Sequence, residues 1–455
     1  MTAGVTTNVL SLTTDPGLLL TSFALPVAAV VLPATVVMGL TFPAASALLP
    51  GGASQAGGRA GALLAVNTAG AIVGTFLIPF LVIPLVGSPT ALALLVLVNL
   101  AVGVALASHG VRSGAPSGTR AAVTSALAGL LVVAVLGSAV AGGFWSDPGA
   151  RSIVAEGGQL FASREDEIAS VQAGELGGQR QLWVTGASMT LLTVDAHLMP
   201  ILPLIARPTA QRALVVAFGM GTAYRSALTV GLETQAIELV PSVPLMFGNF
   251  YADAEEVLSN PRGRVVVADG RNHVELTDER YDVVITDPPP PIESSGASVI
   301  SSLEYYRAGH ARLNPGGVMV QWVPFGQTLD EFRAHVRTFA AVFPNVIVAQ
   351  GPGGNGFYML GSDAPLTLDP AAVRSVLERA GVVADLSSAF DSPRHDEAGW
   401  AKLIPSLVRL SGPQVSAFAG SGPLVTDDRP LPEYFLLRHL FGKGSPQLRA
   451  SQVHP

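Results

Sequence analysis

The spacing of apolar residues changes twice along this chain, and each change marks a different kind of structure. Up to residue 144, apolar residues run almost unbroken over 17–40, 61–86, 90–107 and 121–144. Each stretch is close to the roughly 20 residues that an α-helix needs to cross a bilayer. Short Gly/Ser/Pro segments join them. From Arg151 to Thr193 apolar and polar residues alternate, as in Gln181-Leu-Trp-Val-Thr185, with Gly157-Gly158 and Gly177-Gly178 as turns. A period of two predicts short antiparallel strands. Such a layer is suited either to pair with a second copy in a homodimer or to cover a site.

A short helical stretch at 197–205 follows, and then strand and helix patterns alternate. Strands are predicted at 213–218, 234–239, 264–268, 281–286, 317–323, 344–349 and 356–361, with amphipathic segments at 244–258, 301–313 and 329–342 among them. This alternation predicts α/β: a seven-stranded Rossmann-like sheet with helices on both faces. The last two strands are joined around Gly351-Pro-Gly-Gly354, so the sheet should end in an antiparallel hairpin. Beyond it lie a helical pair at 370–381 and 400–410 and a polar tail after Gly442, expected to be disordered. The predicted organisation is a membrane domain at 1–148 with four transmembrane α-helices and a small β subdomain at 149–196. A Rossmann-like sheet domain at 197–362 and a helical extension at 363–455 complete it.

Composition sharpens the first third. Only 13% of the residues are charged, against roughly 25% in an average globular chain, and mean hydropathy is +0.46. No Asp, Glu, Lys or Arg falls inside any of the four stretches, which speaks against a proton relay or ion path. No Lys or Arg precedes the first stretch, unlike a cleaved signal peptide. In the second, Gly70 and Gly74 are four apart, a spacing that lets helices pack closely in lipid, and Pro79 and Pro84 should kink or end the helix. The lipid bilayer is therefore an expected partner. The loop arginines are split too evenly to orient the chain. The formal charge is −7 and no basic run occurs, so nucleic acid is not an expected partner. With no cysteine, disulfides and thiolate metal sites are excluded, and no metal is expected.

Candidate chemistry gathers where predicted strands end in glycine or a carboxylate, since an open parallel sheet builds its ligand site at that edge. Gly219 and Gly221 follow the first sheet strand and free the backbone for close approach of an adenosine-type ligand. Glu238 ends the second strand, about 20 residues on, where an acid can accept from both ribose hydroxyls. The third glycine of the dinucleotide fingerprint is missing, with Ser226 nearest, which favours a phosphate-free cofactor. Asp269-Gly270 follows the third strand, placed to hold an adenine amine or simply to make a turn. Asp287 ends the fourth and precedes Pro288-Pro-Pro-Pro291.

Taken together, these motifs resemble the S-adenosylmethionine-dependent transferase fold and, within it, the spermidine synthase (polyamine aminopropyltransferase) family. Ser302-Leu-Glu-Tyr-Tyr306 and Leu313-Asn-Pro-Gly-Gly-Val-Met-Val-Gln-Trp322 are similar to segments of that family. Met38-Gly-Leu-Thr-Phe-Pro43, Asn67-Thr-Ala-Gly70 and Thr426-Asp-Asp-Arg-Pro430 with Glu433-Tyr434 resemble its bacterial subfamily with fused N-terminal transmembrane helices. The resemblance implies cofactor binding by Gly219, Gly221, Glu238, Asp269 and Gly270, and catalysis by Asp287. It also implies decarboxylated S-adenosylmethionine as co-substrate and a polyamine or other amine as acceptor. Three departures stand out. The proline loop lacks the family's second carboxylate, the Tyr-His-Glu segment falls at Asp195-Ala196-His197, and Met189 stands where a glutamine is usual.

The implied reaction is attack of an amine on a carbon beside a sulfonium, with Asp287 orienting the amine and accepting its proton. Two alternatives stay open: methyl transfer from intact S-adenosylmethionine, or a catalytically silent adenosine-ligand sensor coupled to the membrane helices. An intracellular cofactor would place the catalytic domain of this multi-pass cell membrane protein on the cytoplasmic side.

Overall fold

In the computed structural model, residues 24–48, 56–112, 146–288, 294–434 and 446–454 are described, with the single residues 21 and 129. They fall into two compact units, one of residues 153–162 with those from 171 on, the other of residues up to 152 with 163–170.

In the N-terminal unit the apolar runs form the helices Leu25–Leu48, Ala56–Leu77 and Ser88–Arg112. Two segments are long and apolar enough to cross a bilayer, Leu25–Pro43 and Gly57–Val86, and neither is buried by protein. Ser88–Gly103 is a shorter apolar helix. The expected stretch at 121–144 lies outside the described residues, apart from residue 129. Pro79 does not end its helix. The missing N–H is absorbed by a wider π turn over Ile78–Val82, and a further helical turn carries the chain through Pro84 to Gly87 at φ 78°. Gly70 and Gly74 face open space.

Residues 159–191 form a four-stranded sheet in the order β1 (Gln159–Glu165), β2 (Ser170–Leu176), β3 (Gln179–Val184), β4 (Ala187–Leu191). The helix Val194–Ala206 leads into the main sheet: β5 (Arg212–Val216), β6 (Glu233–Glu238), β7 (Gly263–Val267), β8 (Tyr281–Thr286), β9 (Leu313–Pro324), β10 (Asn345–Gln350), β11 (Gly356–Ser362) and β12 (Val408–Ser411). Their spatial order is β12-β10-β11-β9-β8-β5-β6-β7. The five strands from β9 to β7 are parallel, and the β10–β11 hairpin docks antiparallel on β9 through β11. Because the chain leaves β5 towards β7 and returns on its other side at β8, a crevice opens between the C-terminal ends of β5 and β8.

Two expectations need correction. The sheet has eight strands, because the predicted helix at 400–410 stops at Ser406, one residue after Pro405, and Val408–Ser411 pairs with the open edge of β10. The tail is anchored rather than disordered where it is described. Gln447 bridges to Thr328, and Leu448 and Val453 are buried in the same core as Phe332, Phe339 and Met359. Aromatic contacts knit that core, including Tyr306 edge-on to Phe339 at 4.9 Å.

Candidate active site

A cavity of about 490 Å³ opens at the β5/β8 crevice. Its walls are mostly apolar, with Ile237, Val240, Val243 and Trp322 among them, and its polar groups come from several separate segments. Gly219, Glu238, Asp269, Gly270 and Asp287 all line it, while Gly221 does not.

The two glycines after β5 do different work. Gly219, at φ 55°, borders the cavity, and a Cβ there would meet only the Thr190 methyl at 3.8 Å. Gly221, at φ 78°, starts the helix Thr222–Thr229. A Cβ on it would lie 2.5 Å from the Phe247 ring and 2.7 Å from Phe218, so packing beneath the loop demands this glycine. Gly270 is similar, since a Cβ would stand 2.6 Å from Val216 and push the Gly270–Leu276 helix off β5.

Glu238 organises the loop. One oxygen accepts from the backbone N–H of Phe218 (3.0 Å) and Gly219 (3.2 Å), the other from Val240 (3.0 Å). Burial raises its pKa and the backbone bonds act the other way. Asp269 caps its helix, accepting from Asn272 N–H at 2.8 Å. The turn reading and the cavity-wall position therefore hold together.

Asp287 follows β8, its own N–H donating to Val216 at 3.2 Å. Its carboxyl is pushed up to about 7, by burial first and then by the negative field of Asp195. Asp195 was not foreseen as a site residue. It sits in the first turn of the helix Val194–Ala206 and lines the cavity, accepting from Gly353 N–H (2.9 Å) and Asn355 Nδ2 (3.0 Å). Burial is the largest influence on it too, and its pKa rises to about 6. The sequence signal was the Asp-Ala-His segment itself, read for the residues it lacks rather than for the acid it carries.

His197, two residues on, points elsewhere: its Nδ1 is 2.9 Å from both Ser226 Oγ and Asp385 Oδ2, in a buried network closed by Arg225. Arg271 is the one cationic residue on the cavity wall among the described residues. Asp427 holds it through two bonds of 2.7 and 2.6 Å, and Glu275 at 2.8 Å. The Thr426-Asp-Asp-Arg segment thus tethers the turn after β7. Met189, Thr190 and Leu191 of β4 also line the cavity, so the small sheet covers the site. Among the described residues, no group of His, Asp and Glu is arranged to hold a metal ion.

Comparison with known proteins bears on the sheet domain. Residues 202–348 match the family model described as the spermine/spermidine synthase domain. A polyamine aminopropyltransferase 2 of Hyperthermus butylicus is 24% identical over 310 residues, covering 63% of this chain and 95% of the relative. A polyamine aminopropyltransferase of Thermococcus kodakarensis is 27% identical over 153 residues, which is 31% of this chain and 52% of that protein. The spermidine synthase structure from Thermotoga maritima aligns over 48% of this chain and 78% of its own, with a TM-score of 0.43 and 22% identity. The chain is spermidine synthase-like and aminopropyltransferase-like over its sheet domain.

Proposed function

We propose that this spermidine synthase-like protein is a membrane-anchored transferase. It would move the aminopropyl group of decarboxylated S-adenosylmethionine to a polyamine, with Asp287 as the amine-orienting base. The observation that carries the choice of co-substrate is the charge of the cavity. Asp195, Glu238, Asp269 and Asp287 line it, and Arg271, the one cation on its wall among the described residues, is already bound to Asp427 and Glu275. Such a wall suits a sulfonium and an ammonium. Among the described residues it offers no free cation for the amino-acid carboxylate of intact S-adenosylmethionine, which weighs against methyl transfer.

The adenosine moiety would lie against Gly219 and Gly270, with Glu238 towards the ribose and Asp269 towards the adenine. Glu238 Oε1 makes one backbone bond and so keeps capacity for a ribose hydroxyl. The amine nitrogen attacks the carbon next to sulfur. As the C–S bond breaks, its electron pair returns to sulfur and leaves a neutral thioether, 5′-methylthioadenosine. The nitrogen's extra proton passes to Asp287. A carboxylate with a pKa near 7 is well matched to that transfer at neutral pH. The apolar helices would anchor the enzyme with this unit on the cytoplasmic side.

Sealed membrane vesicles test this reading. Inverted vesicles given decarboxylated S-adenosylmethionine and putrescine or spermidine should yield aminopropylated amine and methylthioadenosine by mass spectrometry, and right-side-out vesicles should not. A methylated product from intact S-adenosylmethionine would move the protein to the second reading. No product from either cofactor would leave only a sensor.

A further inference from the structure

The carboxylate pair in the cavity points past the single base. Asp195 is only 2% exposed, yet it belongs to the cavity wall. The β10–β11 turn is closed down on it: a Cβ on Gly351 would come 2.5 Å from Asp195 Oδ1 and 2.8 Å from the Trp322 ring. Tyr358 fixes the same residue from behind, donating to the Asp195 carbonyl at 2.7 Å. Asp391 adds a third negative group at Asn355. Neither Asp195 nor Asp287 has an ion-pair partner among the described residues. Two acids in one apolar cavity repel each other and call for a cation between them, and the Trp322 ring is a surface that cations favour.

We infer that Asp195 and Asp287 together hold the acceptor amine, Asp195 supplying from the helix after β4 the second carboxylate that the proline loop after β8 does not contain. This rests on the transferase reading. The acceptor enters as an ammonium ion shared by the two carboxylates. Asp287 takes one proton from the ammonium, and the lone pair so freed forms the N–C bond as the C–S bond breaks, while Asp195 keeps a hydrogen bond to a remaining N–H and so aims that lone pair. Asp195 also explains why Gly353 and Asn355 converge on the site: their donors hold its carboxylate still without neutralising it.

Calorimetry on the full chain in detergent separates the parts. With the protein saturated by 5′-methylthioadenosine, putrescine should bind at least about tenfold more weakly to Asp195→Asn and to Asp287→Asn than to the wild type. The double variant should lose little more than either single one, because the two act on one nitrogen. Methylthioadenosine affinity should be unchanged in Asp195→Asn. If that variant loses methylthioadenosine binding, Asp195→Ser, which keeps a hydroxyl to accept from Gly353, carries the same expectation. Undiminished putrescine affinity in a variant that binds methylthioadenosine overturns the pairing and leaves the transferase reading standing. So does a wild-type protein that binds methylthioadenosine but no putrescine. A wild type that binds no methylthioadenosine overturns the reading itself.

Discussion

Replacing Asp287 by Asn should reduce turnover by about 10²–10⁴-fold, the usual worth of a positioned base, with affinity for the adenosine cofactor nearly intact. The carboxyl follows β8, whereas Glu238 ends β6 and Asp269 follows β7. Steady-state rates alongside cofactor titration read the split. Equal turnover in the variant would remove the assignment.

The same substitution should stabilise the protein at alkaline pH. Burial raises the folded-state pKa to about 7 from an ordinary 3.8, so between these values the folded state holds a proton that the unfolded chain has released. The favourable contribution is complete below the unfolded value and is lost as pH rises through 7. At pH 8 the wild type therefore carries a costly buried charge. Asp287→Asn should unfold with about 2 kcal/mol more stability there, discounting the full shift for the residue's partial exposure. Thermal unfolding of the two proteins at several pH values from 4 to 8 checks this, with the gap widening steadily as pH rises and levelling off above about 7.

Glu238→Ala should do the opposite: a large loss of both cofactor binding and stability. Three backbone N–H groups, of Phe218, Gly219 and Val240, would lose their acceptor at once. Each orphaned donor costs about 1–3 kcal/mol when buried, so a total of about 3 kcal/mol or more is expected. Cofactor affinity should fall at least about 100-fold, since those bonds set the loop proposed to approach the adenosine. Glu238→Gln, whose amide oxygen still accepts, should fall between. Unfolding by denaturant and cofactor titration measure both effects. A Glu238→Ala protein with wild-type stability would show that the carboxylate does not set the loop.

The strands from β5 to β11 were legible because each is an apolar run bounded by glycine, proline or a carboxylate, and residue patterning alone sets those limits. Tyr281–Thr286 lies where its pattern places it. β12 escaped because four residues directly after a helix carry too little pattern, and only the open edge of β10 makes them a strand. The tail escaped for a similar reason. Leu448 and Val453 are isolated apolar residues in polar sequence, and their burial depends on a core built from distant strands and helices. In the site, Gly219, Glu238, Asp269, Gly270 and Asp287 stand at strand ends, which a sheet gathers automatically. Asp195 reaches the cavity by tertiary folding instead, held by a residue 158 positions away. Gly221 shows the converse limit: its spacing suggested ligand approach, whereas Phe247 and Phe218 supply the reason for it.

The acidic cavity should select the decarboxylated sulfonium cofactor, which paired calorimetric titrations of the full chain would show. Decarboxylated S-adenosylmethionine should bind at least about tenfold more tightly than S-adenosylmethionine, because the latter's carboxylate would face Asp195 and Asp287 with Arg271 already engaged. Equal affinity, or tighter binding of the intact form, would rule out aminopropyl transfer as the reason for the cavity's charge.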